Sequence, residues 1–333
     1  MFKHSAKMLM IAGVAGMLAL AGCSKSDSAS GNASVGDQVK HQIIGIDPGA
    51  GLMKQTQQAM KDYGLDDWKL VEGSDAAMTA ALDKAIKNED PIIVTGWTPH
   101  WMFAKYKLKY LQDPKGSYGK DEEIHTVVRN GLKDDAPSAY AFLDNFNWTP
   151  DDMAVVMNAV VDGQKPEDAA ADWVKNNADK VDAWVKDIPQ ESGKKIKLAY
   201  VAWDSEIAST NVVKQVLEQR LGYQVDMLQV EAGPMWAGIA NGSADAMVAA
   251  WLPTTHKDYF DKYEGQFEDL GPNLKGTKLG LVVPEYMPID SIEDLQTSKR
   301  KMNGEGRPPG PKGPQGRPVA LSVRLGHQSL QAR

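Results

Sequence analysis

Cysteine is almost missing from this chain. Cys23 is the only one in 333 residues, so no internal disulfide is possible. Gly-x-Ser-x-Gly is missing too, and with it the nucleophile elbow of a hydrolase. His100 and His125 have no second ligand at metal spacing, which argues against a metal site. Gly49-Ala50-Gly51 lacks the third glycine of a dinucleotide fingerprint. Net charge is −7, and no basic stripe interrupts the part expected to fold, so nucleic acid is a poor partner. Beyond the N-terminus no run of apolar residues is long enough to span a bilayer. The acidic pairs Asp66-Asp67 and Asp134-Asp135 sit beside turns or helix starts, where solvated capping explains them better than acid/base chemistry.

What is present begins with an export signal. Lys3 and Lys7 precede an apolar run from Met8 to Leu20, which ends in Leu20-Ala21-Gly22-Cys23. The run is short for a membrane span, and small residues before a cysteine suit a lipoprotein signal peptidase. Residues 1–22 are therefore read as a lipoprotein signal peptide and Cys23 as the lipid attachment site. Residues 23–42, rich in Ser, Gly, Ala, Asn and Asp, are read as a flexible tether. At the other end, 299–333 holds eight Lys/Arg against the single Glu305, and five prolines. It reads as a disordered basic tail, natural or an artefact of reading frame, outside the functional argument.

The remaining stretch carries two similar passages. Ile43–Asp47 leads through helix and strand to Pro91–Thr95, which presents Gly96-Trp97-Thr98-Pro99; Ile196–Tyr200 leads the same way to Asp245–Ala250 and Trp251-Leu252-Pro253. The expected elements are strands at 43–46, 68–71, 91–95 and 124–128, a helix over 74–87, helical structure from about 135 to 185, and a helix from about 208 to 221. Thr149 and Lys165-Pro166 mark helix starts. Strands at 124–128 and 280–284 are expected to cross between two lobes as a hinge.

Trp97, Trp203 and Trp251 follow strand ends, where ligands bind in open α/β sheets. Position alone leaves site and packing roles open for each. Trp68, Trp148, Trp173 and Trp184 sit at strand or helix spacing and read as packing, and Trp101 and Trp236 as support behind the site. A quaternary ammonium donates no hydrogen bond and spreads its charge over methyl groups, so indole faces suit it, each worth about 0.5–2 kcal/mol once water is excluded. Glycines 49 and 51 before a helix start would let a small anion reach backbone N–H groups. His256 could bind an anionic ligand end or be a surface histidine.

The segments Gly45-Ile46-Asp47-Pro48-Gly49-Ala50-Gly51, Thr95–Phe103, Tyr200–Asn211 and Ala250–His256 closely resemble the glycine betaine-binding lipoproteins of osmoprotectant ABC importers, the OpuAC type, over essentially Ile43 to Leu295. The resemblance implies an α/β, type II periplasmic-binding-protein-like fold: two Rossmann-like lobes on a two-strand hinge, with the halves in swapped order. Lobe one would comprise 43–125 plus 284–298, and lobe two 132–283, made of helices 132–186 and the second α/β half 196–283. It places the family's trimethylammonium prism on Trp97, Trp203 and Trp251. The amides receiving the ligand carboxylate fall on Gly51 and Leu52, and the carboxylate-binding histidine on His256. Leu52 is often isoleucine in relatives, which leaves its amide unchanged. The implied protein is no enzyme. It is a monomeric, lipid-anchored receptor on the outer face of the cell membrane, without cofactor or metal, delivering glycine betaine and proline betaine to a permease and ATPase. Choline, carnitine or ectoine are alternative ligands. An exported enzyme acting on a methylated amine would need a nucleophile, metal or acid/base pair near the cage, and the sequence offers none.

Overall fold

The computed structural model describes residues 34–296. The expected signal peptide, Cys23 and the basic tail from 299 onward lie outside the described residues. The expected tether at 23–42 needs correction at its end. Ser34 caps a short helix, α1 (Val35–Gln38), in a capping box with Asp37, and Val39 is already buried. The Ser34 hydroxyl satisfies a free helical N–H there, and Val39 seals the turn against the core.

β1 (Gln42–Ile44) opens the first α/β passage, followed by α2 (Gly51–Asp62), β2 (Lys69–Val71), α3 (Asp75–Asn88) and β3 (Val94–Thr98). Ser74 caps α3, its side chain accepting the Ala77 N–H at 3.2 Å, as the sequence signals. β1 and β2 are shorter than the expected strands and β3 is shifted along the chain from 91–95: Ile46 leaves the ladder and Pro91 cannot donate to one. A short helix α4 (Met102–Lys105) and strand β4 (Leu108–Tyr110) precede β5 (Glu122–Arg129).

Helices follow: α5 (Leu132–Asp135), α6 (Pro137–Asn145), α7 (Pro150–Val161), α8 (Pro166–Asn176) and α9 (Ala178–Trp184). Three of them carry proline at the first position, where no N–H is needed. The second passage is β6 (Lys195–Tyr200), α10 (Asp204–Leu221), β7 (Gln224–Gln229), α11 (Ala232–Ala240) and β8 (Ala246–Leu252). α12 (Lys257–Lys262), the long β9 (Phe267–Pro284) and a 3-10 turn at Ile292–Gln296 complete it. The sequence places the start of α10 at about 208, but the helix begins at Asp204, directly after Trp203. Trp203 stays extended as N-cap, so a stretch read as loop is the first turn of the helix.

The strands lie in the order β2-β1-β3-β9-β5-β8-β6-β7, with β4 added on β9. β1 pairs parallel with β2 and β3, and β6 pairs parallel with β7 and β8. β9 is antiparallel to β3 and to β5, which in turn pairs antiparallel with β8: residues 267–277 of β9 pair with β5 and 278–282 with β3. One strand therefore serves two sheets, and the change of partner falls between Thr277 and Lys278. This is the α/β architecture of type II substrate-binding proteins that the family resemblance implies. Every residue of β8 is buried, which explains its unbroken apolar run. Trp97 at the end of β3 and Trp251 at the end of β8 are followed by cis bonds, Thr98-Pro99 and Leu252-Pro253.

Candidate functional site

The two parallel strand groups point the ends of β3 and β8, the N-terminus of α2 and the N-terminus of α10 at one place. Trp97, Trp203 and Trp251 are all buried there, 3%, 4% and 2% exposed, and line one void together with Leu52 and Thr255. Trp97 and Trp203 lie 6.4 Å apart between centroids, tilted by 55°. The void measures about 20 Å³, the room of roughly one water.

Each ring is aimed by its own N–H. Trp97 Nε1 donates to Ser205 Oγ at 3.3 Å, Trp203 Nε1 to Asp47 Oδ2 at 2.9 Å, and Trp251 Nε1 to Glu206 Oε1 at 2.7 Å. Two of these bonds join the β1–β3 group to α10. More polar links span the same boundary: the Asp204 N–H donates to Asp75 Oδ2 at 2.9 Å, Tyr259 Oη to the Gly49 carbonyl at 2.9 Å, and Trp101 Nε1 to Asp204. Lys54 pairs with Asp258 across it.

Gly51 opens α2, where the first N–H groups, with that of Leu52, have no partner inside the helix. A Cβ on Gly51 would fall 1.8 Å from the Thr255 carbonyl oxygen. Only glycine lets the two backbones approach so closely.

His256 follows Thr255 and is fully buried. Its Nδ1 accepts the Trp251 N–H at 3.1 Å, so the ring proton sits on Nε2. That Nε2 is a buried donor without a hydrogen-bond acceptor among the described residues. Burial pushes the His256 pKa down to about 3, so the ring is neutral at physiological pH. It lies 6.0 Å from Trp203, nearly parallel at 22°, and edge-on to Trp236 at 5.8 Å.

Several polar residues that hold the site escape the sequence reading. Glu122, buried at the start of β5, accepts the Thr254 N–H at 2.6 Å and the Thr255 N–H at 2.5 Å, and bonds the Thr255 hydroxyl. It fixes the loop that carries His256. Asp47 and Glu206 lie within the very motifs that carry the resemblance, yet acidic residues beside turns are ordinarily solvated, and nothing in spacing separates these from the rest.

His100 shows the same limit of spacing. Its Nδ1 accepts the Met102 N–H at 3.2 Å, so Nε2 carries the proton and faces Asp75 Oδ1 at 3.4 Å and Asp204 Oδ2 at 4.0 Å. Three groups of metal-ligand type thus gather within 4.8 Å from distant parts of the chain. Asp75 accepts the Asp204 N–H, while His100 Nε2 and Asp75 Oδ1 have no hydrogen-bond partner among the described residues; the Trp97 ring stands edge-on to His100 at 4.6 Å. Burial and then Asp75 raise the Asp204 pKa, against the pull of Trp101 and His100.

The remaining tryptophans divide cleanly. Trp148, Trp173 and Trp184 form a separate cluster with Phe142 and Phe146. Trp68 packs edge-on against His41. No helix among the described residues is long and apolar enough to cross a membrane.

Comparison with known proteins gives the family of the chain. The family model "Substrate binding domain of ABC-type glycine betaine transport system" matches residues 21–176 and 194–316, continuing past Leu295, where the motif resemblance stops. The glycine betaine/carnitine transport binding protein GbuC of Listeria monocytogenes is 59% identical over 268 residues, 80% of this chain and 89% of that protein. The crystal structure of lactococcal OpuAC complexed with glycine betaine matches at 51% identity and TM-score 0.44, over 45% of this chain and 59% of that one. An ABC-transporter choline binding protein in complex with choline matches at 27% identity and TM-score 0.40, over 46% and 55%. The chain thus spans less than two thirds of either solved structure. On the extent of the family match and the identity to its Listeria relative, this chain belongs to the substrate-binding domains of ABC-type glycine betaine transport systems, a family of transport receptors and not of enzymes.

Proposed function

We propose that the protein captures glycine betaine in a cage of Trp97, Trp203 and Trp251 and presents it to a membrane permease driven by an ATPase. The single observation that carries this reading is the meeting of those three indoles around one void, beside an unpaired donor on His256. The rings would take the trimethylammonium group. The carboxylate would lie toward the His256 Nε2–H and the Gly51 and Leu52 amides at the positive end of α2. Both ends of a betaine thereby find a partner that water alone would otherwise supply. Lobe one would contribute Trp97 and the amides, lobe two the other two indoles and the histidine, with the boundary close to the change of partner on β9. Export and attachment through a lipid on Cys23 would place the monomeric receptor on the outer face of the membrane.

Calorimetric titration with glycine betaine, carnitine and choline tests the ligand. Glycine betaine is expected to bind at micromolar to sub-millimolar levels, and choline far more weakly, because it offers no carboxylate to His256. Carnitine is the second reading, favoured by the name of the Listeria relative. Trp203→Ala is expected to weaken betaine binding by about 1–3 kcal/mol; unchanged affinity would remove the cage.

A further inference from the structure

The void is lined by carbon-rich side chains, yet its proposed guest is a cation, and the negative charge that balances it stands one layer behind the rings. Glu206 occupies the third position of α10, an 18-residue helix, and is completely buried. Its Oε1 accepts the Trp251 N–H at 2.7 Å. The same oxygen lies 3.4 Å from Ser205 Oγ, which in turn accepts the Trp97 N–H at 3.3 Å. One carboxylate thus collects the N–H donors of two cage walls, directly from one and through a hydroxyl from the other. Its second oxygen, Oε2, has no hydrogen-bond partner among the described residues. A buried carboxylate with an idle oxygen is costly as a structural device alone, since no cation among the described residues stabilises the ionised form.

We propose that Glu206 is the counter-charge of the cage: when ionised it draws on the indole N–H groups, makes the ring faces more negative, and so selects a quaternary cation over an uncharged group of the same shape. The inference rests on the cage reading above. Its physical basis is that a hydrogen bond to an anion polarises the donor, and that cation–π attraction follows the negative charge on the ring face.

Burial pushes the Glu206 pKa up to about 7, with Trp251 and then Ser205 opposing the rise. The carboxyl is therefore balanced between its two states, and a cation arriving in the cage favours the charged one, sending the proton to solvent. The titratable groups tied into the same end of α10 are Asp204, with Asp75 of α3 and His100 beyond it. On the β8 side, His256 sits behind the Trp251 backbone and is neutral above about pH 3. Asp47, behind Trp203, is partly exposed, so water screens it more than it does Glu206.

The test uses two ligands of one shape, glycine betaine and tert-butylacetate, which keeps the carboxylate and replaces the charged nitrogen by carbon. In the unmodified protein, betaine binding is expected to tighten about tenfold from pH 6 to 8 as Glu206 ionises, while tert-butylacetate binding stays level or weakens. Glu206→Gln keeps the shape and an acceptor for Trp251; it is expected to weaken betaine about tenfold at pH 8 and to abolish the pH dependence, leaving tert-butylacetate binding unweakened. Should the variant not fold, calorimetry of the unmodified protein near pH 7 in buffers of different ionisation enthalpy decides the matter: proton release with betaine and none with tert-butylacetate is expected. A flat betaine profile, no proton release, or equal loss of both ligands in Glu206→Gln overturns the role of Glu206 alone. An unmodified protein that binds no betaine at all overturns the cage itself, and the counter-charge with it.

Discussion

Two groups of three tryptophans occupy this molecule, and they are held in opposite ways. In the cluster between the α6–α9 helices, rings rest on rings. Trp173 and Trp184 stack at 5.8 Å and 16°, Trp148 stands edge-on to Trp173 at 5.7 Å, and the Trp148 N–H has no acceptor among the described residues. In the cage, rings border a void, and all three N–H groups end on side-chain oxygens. The cluster also has a cation of its own, Lys180, 5.8 Å from the Trp173 centroid and paired with Asp152. No lysine or arginine of the described residues stands over a cage ring. Packing orients the first group. Hydrogen bonds orient the second, where the rings border a void, as the proposed cage requires.

The largest expected break of this contrast is Trp173→Ala. A fully packed aromatic removed from the cluster costs about 3–5 kcal/mol of stability, read by urea unfolding, while the folded fraction keeps its betaine affinity. A comparable loss of affinity in the folded fraction would mean that the two groups are coupled and the division is false.

Gly51→Val should act the other way. Any Cβ at this position meets the Thr255 carbonyl at 1.8 Å, so the α2 terminus cannot approach the loop that carries His256. Betaine affinity is expected to fall by about 2–3 kcal/mol, on the scale of overpacking costs. The midpoint of unfolding should move less than for Trp173→Ala, because the clash can be relieved by separating the two sides. Isothermal titration beside thermal unfolding distinguishes the two effects.

The sequence carries the outline of this contrast and little of its cause. The strand–tryptophan–proline ends are legible because both copies combine a buried apolar run with a proline stop. Helix starts at Ser74 and Thr149 are legible because capping is local. The start of α10 at Asp204 is not: Trp203-Asp204-Ser205-Glu206 reads as a polar loop, and it becomes helical because Ser205 and Glu206 bury against indoles from β3 and β8, far off in sequence. Glu122, Asp75 and His100 are hidden for the same reason. A buried carboxylate and a solvated one look alike until the chain has folded around one of them.

The smallest effect sharpens the comparison most, because one substitution is made on both sides. Trp148→Phe removes part of a buried ring and also an indole N–H that lacks an acceptor. The lost contacts destabilise, the relief of an unsatisfied donor stabilises by about 1–3 kcal/mol, and the net change is expected within about 1 kcal/mol. Trp251→Phe removes an N–H that bonds a buried carboxylate at 2.7 Å. Nothing is relieved there, and Glu206 loses its closest donor, so its pKa should climb further above about 7 and betaine binding should weaken at neutral pH by about 1 kcal/mol or more. The pair separates a ring used as filling from a ring used as a conductor of charge, since the first substitution moves only the unfolding midpoint and the second moves the pH at which the ligand is held.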